Sequence, residues 1–354
     1  MLIIQKPHLV VSFFRKFVMF NPIRFIFRAI LLLVALLALT VQAQAASQYP
    51  ALSIIGKLGI NAVNISGMVK TDQFLALATD EGTQIQILPK SANGYVADSS
   101  GVIDLNQTQQ AIKEFDLEAM AWQKPYLYVL GSHSKKRKKL KPNSSVKKNM
   151  ERITPVIDEP YRRVLFRVEL SKQLKPLHID KISLLNEIQN NPILSPFLAI
   201  PSKENGIDIE GLAVRQHHGK TQLFVGFRGP VLRGNLTPIL KLTLSTKRFE
   251  VKKSKLLLVN LGGFGIRDMQ ATERGFLLLS GPVNTVPNRF SLYDWDGKTQ
   301  LSPMPQKQVL PNQKNDGNPE AIATENLPGW GPGIWVGKDG AENGDIRFYP
   351  FTTK

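Results

Sequence analysis

The sequence predicts an all-β fold of the β-propeller type: five four-stranded blades, or six if residues 177–201 hide a degenerate unit, with one basic insertion loop. Three observations predict it. A six-residue motif recurs five times, two short apolar runs follow each copy, and Asp-Gly or similar breakers sit in the gaps. Units of about four strands repeated every 50 residues or so are what propeller blades require.

The motif copies are residues 64–69 (Asn-Ile-Ser-Gly-Met-Val), 116–121 (Asp-Leu-Glu-Ala-Met-Ala), 208–213 (Asp-Ile-Glu-Gly-Leu-Ala), 266–271 (Ile-Arg-Asp-Met-Gln-Ala) and 318–323 (Asn-Pro-Glu-Ala-Ile-Ala). Their third positions are Ser66, Glu118, Glu210, Asp268 and Glu320, spaced by 52, 92, 58 and 52 residues. The first apolar runs cover residues 74–78, 126–130, 223–227, 276–279 and 333–336. The second cover 84–88, 164–170, 239–244, 290–295 and 345–351. Their length and bounding turns read as strands. Residues 52–58 are free to complete the last blade, which removes an exposed edge. Residues 184–188 read either as part of a sixth blade or as helix. A β-sandwich leaves the recurrence of the motif without a reason.

Residues 1–45 stand apart from this pattern. Lys6, Arg15, Lys16, Arg24 and Arg28 precede an apolar run of 13 residues, and an Ala-Gln-Ala site ends at Ala45. The run is shorter than the roughly 18–20 residues that span a bilayer, so it reads as a signal peptide, with Met19 as an alternative start. Export to the periplasm or beyond is expected, with membrane contact only in transit. Residues 46–354 are expected to form one domain. The absence of cysteine excludes disulfides, thiolate nucleophiles and cysteine-bound metals.

A net charge of +17 suggests a nucleic-acid partner until it is located. The leader holds five of the Lys and Arg and no acid, and residues 134–153 carry nine Lys or Arg against Glu151. The rest of the chain is left with +4. The basicity thus belongs to one solvated insertion. That argues against nucleic acid and for a flexible loop, or for contact with an anionic envelope polymer, lipid headgroups or a phosphorylated substrate.

If each motif opens a channel-lining strand, the following strand returns to the same face. Glu118, Glu210, Asp268 and Glu320 should then share the channel mouth with His133, Arg228, Arg267 and Lys338. Such carboxylates can hold Ca²⁺, or raise one another's pKa as acid–base catalysis requires, while the cations orient a small anionic substrate. A purely structural polar network is the alternative. No organic cofactor and no second copy of the chain is implied. Gly-x-Ser-x-Gly, the complete phosphate-loop pattern and His-Glu-x-x-His are all absent. His217-His218-Gly219 reads as a turn.

The motifs at 116–121, 208–213 and 262–268, with Gly131-Ser132-His133-Ser134, Arg228-Gly229-Pro230, Ser280-Gly281-Pro282 and Pro319-Glu320, resemble bacterial domain-of-unknown-function family 3616 over nearly all of the mature chain. The resemblance implies a propeller. Through a distant similarity to phytase-like and esterase-like propellers, it also implies calcium-dependent hydrolysis of a phosphoester or other ester.

Overall fold

A strand covered on both faces by neighbouring sheets loses the apolar–polar alternation and becomes a continuous apolar run. The strand after each motif has that character: Phe74–Thr79 and Gly275–Gly281 are buried at every residue. In the structure, a computed structural model that describes residues 49–284, 289–311 and 317–352, these strands lie inside five mainly antiparallel sheets arranged as the blades of a β-propeller. The expected leader, residues 1–45, lies outside the described residues.

Each blade begins with an inner strand: Ile65–Lys70, Leu117–Gln123, Asp208–His217, Gly265–Thr272 and Asn318–Leu327. Successive inner strands pack side by side, and the fifth returns to the first, so the ring is closed. Apolar clusters fill four of the seams. One joins Ala76 and Ile85 to Val129 and Phe166, another Tyr128 and Leu165 to Val225 and Leu240. A third joins Phe224 to Phe276, and the last joins Leu75 and Leu88 to Trp335 and Phe348. Between the fourth and fifth blades, where Leu277, Leu279, Ile322 and Ile334 are buried, the inner strands are also tied by hydrogen bonds. Asp268 accepts the Ile322 N–H at 2.7 Å, and Gln270 accepts the Thr324 N–H at 2.7 Å.

The inner strands lock together through a small residue after the third motif position. A Cβ added at Gly67 would stand 3.0 Å from Cγ of Met120, and one at Gly211 would stand 2.7 Å from Cγ2 of Ile266. Neither glycine is needed for its backbone angles; each leaves room for a side chain of the next blade. Gly211→Val is therefore expected to overpack the seam and lower stability by about 1–3 kcal/mol, since a β-branched neighbour cannot swing away. Urea unfolding measures this, and an unchanged midpoint would show that the seam is loose.

The structure corrects two expectations and decides a third between its alternatives. The ring is closed by a shorter segment than residues 52–58. Leu52 N–H donates to Ile346 O and Phe348 N–H to Pro50 O, both at 2.9 Å, so residues 50–52 form the outer edge of the fifth blade. Ile54–Ile55 pairs instead with Gly94–Val96 in the first blade, because the chain must cross to the new blade within a few residues. The count among the described residues is five blades, as read directly: Pro176–Ile182 is the outer strand of the second, and Leu185–Gln189 takes the helical alternative, with Ile188 buried. The basic insertion is not all loop. Lys135–Lys136 pairs with Ile157–Asp158, and Val146–Ile153 is a helix.

Candidate active site at the channel mouth

All five inner strands carry a β-bulge near their start. Pairing skips from Ile65 to Gly67, Leu117 to Ala119, Ile209 to Gly211, Ile266 to Asp268 and Pro319 to Ala321. The extra residues are Ser66, Glu118, Glu210, Arg267 and Glu320. A bulge leaves its residue out of the ladder and re-aims the side chain, so these five are the equivalent positions around the channel. The fourth repeat is therefore one residue out of the register that the sequence suggested. Arg267, not Asp268, is the counterpart of Glu118, Glu210 and Glu320, and Asp268 stands where the other blades have Gly or Ala.

That shift changes the electrostatics. Arg267 joins two ring carboxylates, pairing with Glu320 and placing Nε 3.0 Å from Oε2 of Glu210. This last contact is too poorly aligned for a hydrogen bond, and both atoms are buried without another. Arg228, from the returning strand of the third blade, donates to Glu210 and to Val283 O and lies 3.6 Å from Asp208. Ser66 donates to Leu117 O and ties the first blade to the second. Asp268 accepts the N–H groups of Met269 and Ile322, one on each oxygen; burial pushes its carboxyl well up, and these donors pull it back.

Glu118 is left over. It is partly exposed and, among the described residues, has no hydrogen bond or ion pair. Burial of its surroundings, then the charges of Glu210, Asp116, Asp80 and Asp208, push its carboxyl well above the usual range. Asp208 is pushed up to about 7 by burial, against the pull of Arg228. Asp80 is also pushed up to about 7, by burial and then by Asp339 and Asp116. Asp116 is raised by burial and held by Arg162, which also binds Glu114 and Glu159.

The remaining candidates are turned to other work. His133 is buried with a positive φ of 58°; its Nδ1 lies 2.9 Å from Gly131 O, and its Nε2 accepts the Leu184 N–H at 3.1 Å. Burial lowers its pKa to about 4, so it is a neutral ring with both nitrogens engaged by backbone. Lys338 is buried and 3.0 Å from Asp345. Of the four carboxylates considered for calcium, Glu210 and Glu320 pair with arginine and Asp268 accepts backbone N–H groups. Among the described residues, no three Asp, Glu or His side chains converge as metal ligands. His218 and Gly219 form the turn between Asp208–His217 and Lys220–Gly229.

Asp80 makes a pH prediction. Its folded pKa exceeds the unfolded value, so the folded state binds the extra proton, and stability falls as pH rises from about 4 to about 7. Asp80→Asn is expected to remove that decline and to stabilise the protein at pH 8 by a few kcal/mol at most. Melting curves across pH measure it; a variant less stable than the parent at pH 8 contradicts the assignment.

The profile of a family described as "Protein of unknown function (DUF3616)" matches residues 64–182 and 176–328, which include every bulge residue named above. The chain belongs to that family. No curated protein matches it in sequence. Among solved structures, this DUF3616 chain is similar to a "putative 6-phosphogluconolactonase" from Bacteroides fragilis NCTC 9343, at 10% identity and TM-score 0.36, over 82% of this chain and 71% of that one. A second so described, from Bacteroides uniformis ATCC 8492, has 10% identity and TM-score 0.33, with 77% of this chain and 62% of that one covered. A "hypothetical selenium-binding protein" from Sulfolobus tokodaii has 10% identity and TM-score 0.35 over 83% and 76%. The activities in those names are said of those proteins.

The sequence points to Asp80 at this face only as a strand end, and does not single out Asp116, Asp208 and Arg162 as site residues. For Asp116 and Asp208 a signal existed: both precede a bulge glutamate by two residues. Arg162 follows the insertion with no motif around it, and only the fold brings it to Asp116.

Proposed function

We propose that the chain is an exported hydrolase of a phosphoester or other ester, and that the channel mouth is its active site. The observation that carries the reading is Glu118: a partly exposed carboxyl with no hydrogen bond or ion pair among the described residues, which burial and neighbouring carboxylates hold well above the ordinary carboxylate range. A carboxyl in that state is a general acid. Asp208, titrating near 7, is the matching base.

In this reading Asp208 takes a proton from water as its oxygen attacks the ester centre. The bond to the leaving oxygen breaks, and that oxygen receives the Glu118 proton. Arg228 and Arg267 favour the negative charge that develops between them. The leader supports export, and the site's chemistry favours an anionic small substrate over a nucleic acid. No step requires a metal.

The test is a panel of chromogenic phosphoesters, carboxylic esters and lactones, assayed with and without chelator. Activity on one class is expected, insensitive to chelator and rising with pH through about 7 as Asp208 loses its proton. Inertness toward every class would overturn the proposal, leaving a binding protein.

A further inference from the structure

The basic insertion has no part in that chemistry, yet it is a built element. It follows Tyr126–Gly131, whose end reaches the channel mouth, and its base is fastened there. Lys136 pairs with Glu114 at 2.8 Å and Glu159 at 2.7 Å, and Arg137 with Glu204 at 2.6 Å. Farther out, Ser145 caps the helix Val146–Ile153, and the Asn149 side chain clips both the N–H and the C=O of Lys141.

What this scaffold displays is unusual for a solvated loop. Val146 is 81% exposed, Leu140 59% and Met150 55%. Of the twelve exposed large apolar side chains among the described residues, five lie between residues 140 and 161. On the helix, Val146, Met150 and Ile153 fall on one side at i, i+4 and i+7, while Lys147, Lys148, Glu151 and Arg152 occupy the other. Lys138, Lys139, Lys141, Lys147 and Lys148 are exposed, and none forms an ion pair among the described residues.

We propose that this insertion docks the protein, channel mouth first, on an anionic lipid bilayer. The charge complementarity is that of lysines with acidic headgroups, each worth a several-fold gain near the surface. The apolar side decides between lipid and a soluble polyanion. A polymer uses only the lysines and leaves Val146, Met150 and Leu140 in water. A bilayer interface takes both, with the apolar face of a basic helix seated about 5–10 Å into the headgroup boundary.

The lack of cysteine allows a clean test. Met150→Cys in the full chain, labelled with an environment-sensitive fluorophore, is mixed with vesicles of phosphatidylcholine, with or without phosphatidylglycerol. The emission is expected to shift to the blue only with the mixed vesicles. The same label at Thr246→Cys, in a loop at the far end of the third blade, is expected not to shift. Adding Lys147→Glu and Lys148→Glu should weaken the response on the order of a hundredfold. Val146→Ser should weaken it without changing any binding of polyphosphate. No shift at position 150, an equal shift at 246, or an equal shift with polyphosphate alone would overturn the proposal.

Discussion

Glu118→Gln is expected to lower kcat/KM for the hydrolysed ester by about 10²–10⁴-fold while leaving the protein as stable as its parent or more so. The two halves of this expectation have one cause. Among the described residues Glu118 forms no pair that the substitution could break, and Glu210, Asp116, Asp80 and Asp208 all oppose a charge on its carboxyl. A neutral amide of the same shape loses the transferable proton and, like the protonated acid it replaces, brings no charge among these carboxylates. Steady-state kinetics and a thermal melt on the same preparation measure both. A retained rate would remove Glu118 from the chemistry; a large fall in melting temperature would make it a structural residue.

Arg267→Met carries the largest expected effect on stability. Arg267 is buried between blades, and it neutralises Glu320 while standing 3.0 Å from Glu210. Its removal leaves Arg228 to serve Glu210 but nothing among the described ion pairs to serve Glu320. Breaking a buried pair from one side costs about 3–5 kcal/mol, because the abandoned charge stays buried. The loss falls on the seam between the fourth and fifth blades, where Asp268 and Gln270 make the other described ties. Urea unfolding should show the cost, and Glu320→Gln in the same chain should recover part of it, since the two residues are coupled. A cost below about 1 kcal/mol would mean that Glu320 is already neutral in the parent.

The propeller was legible because its signal is carried many times over. Five motif copies and ten apolar runs outweigh the disturbance of one insertion, and the apolar character of the second strands follows from burial on both faces. The site was legible only in part. Aligning repeats on their acids put Asp268 level with Glu118. Aligning them on the apolar residues Met68, Met120, Leu212, Met269 and Ile322, each two places beyond the bulge, puts Arg267 there instead. The apolar positions are held by packing between blades and keep register, whereas a channel residue is free to change sign. His133 stood in the right loop, where both of its ring nitrogens meet backbone groups. Residues 50–52 were hidden for a different reason: their strand is made of long-range hydrogen bonds to the end of the chain, and no local pattern records such pairing.

The ring of bulge residues pairs its charges so that, among the described residues, Glu118 alone is left without a partner at the channel mouth, its carboxyl raised well above the ordinary range. Carboxyl ¹³C resonances of glutamate, with Glu118 assigned from its absence in Glu118→Gln, report that state directly. The Glu118 resonance is expected to titrate well above the ordinary midpoint of about 4.3, and Arg267→Met is expected to move it. A Glu118 midpoint at the ordinary value, unaffected by Arg267, would contradict this arrangement.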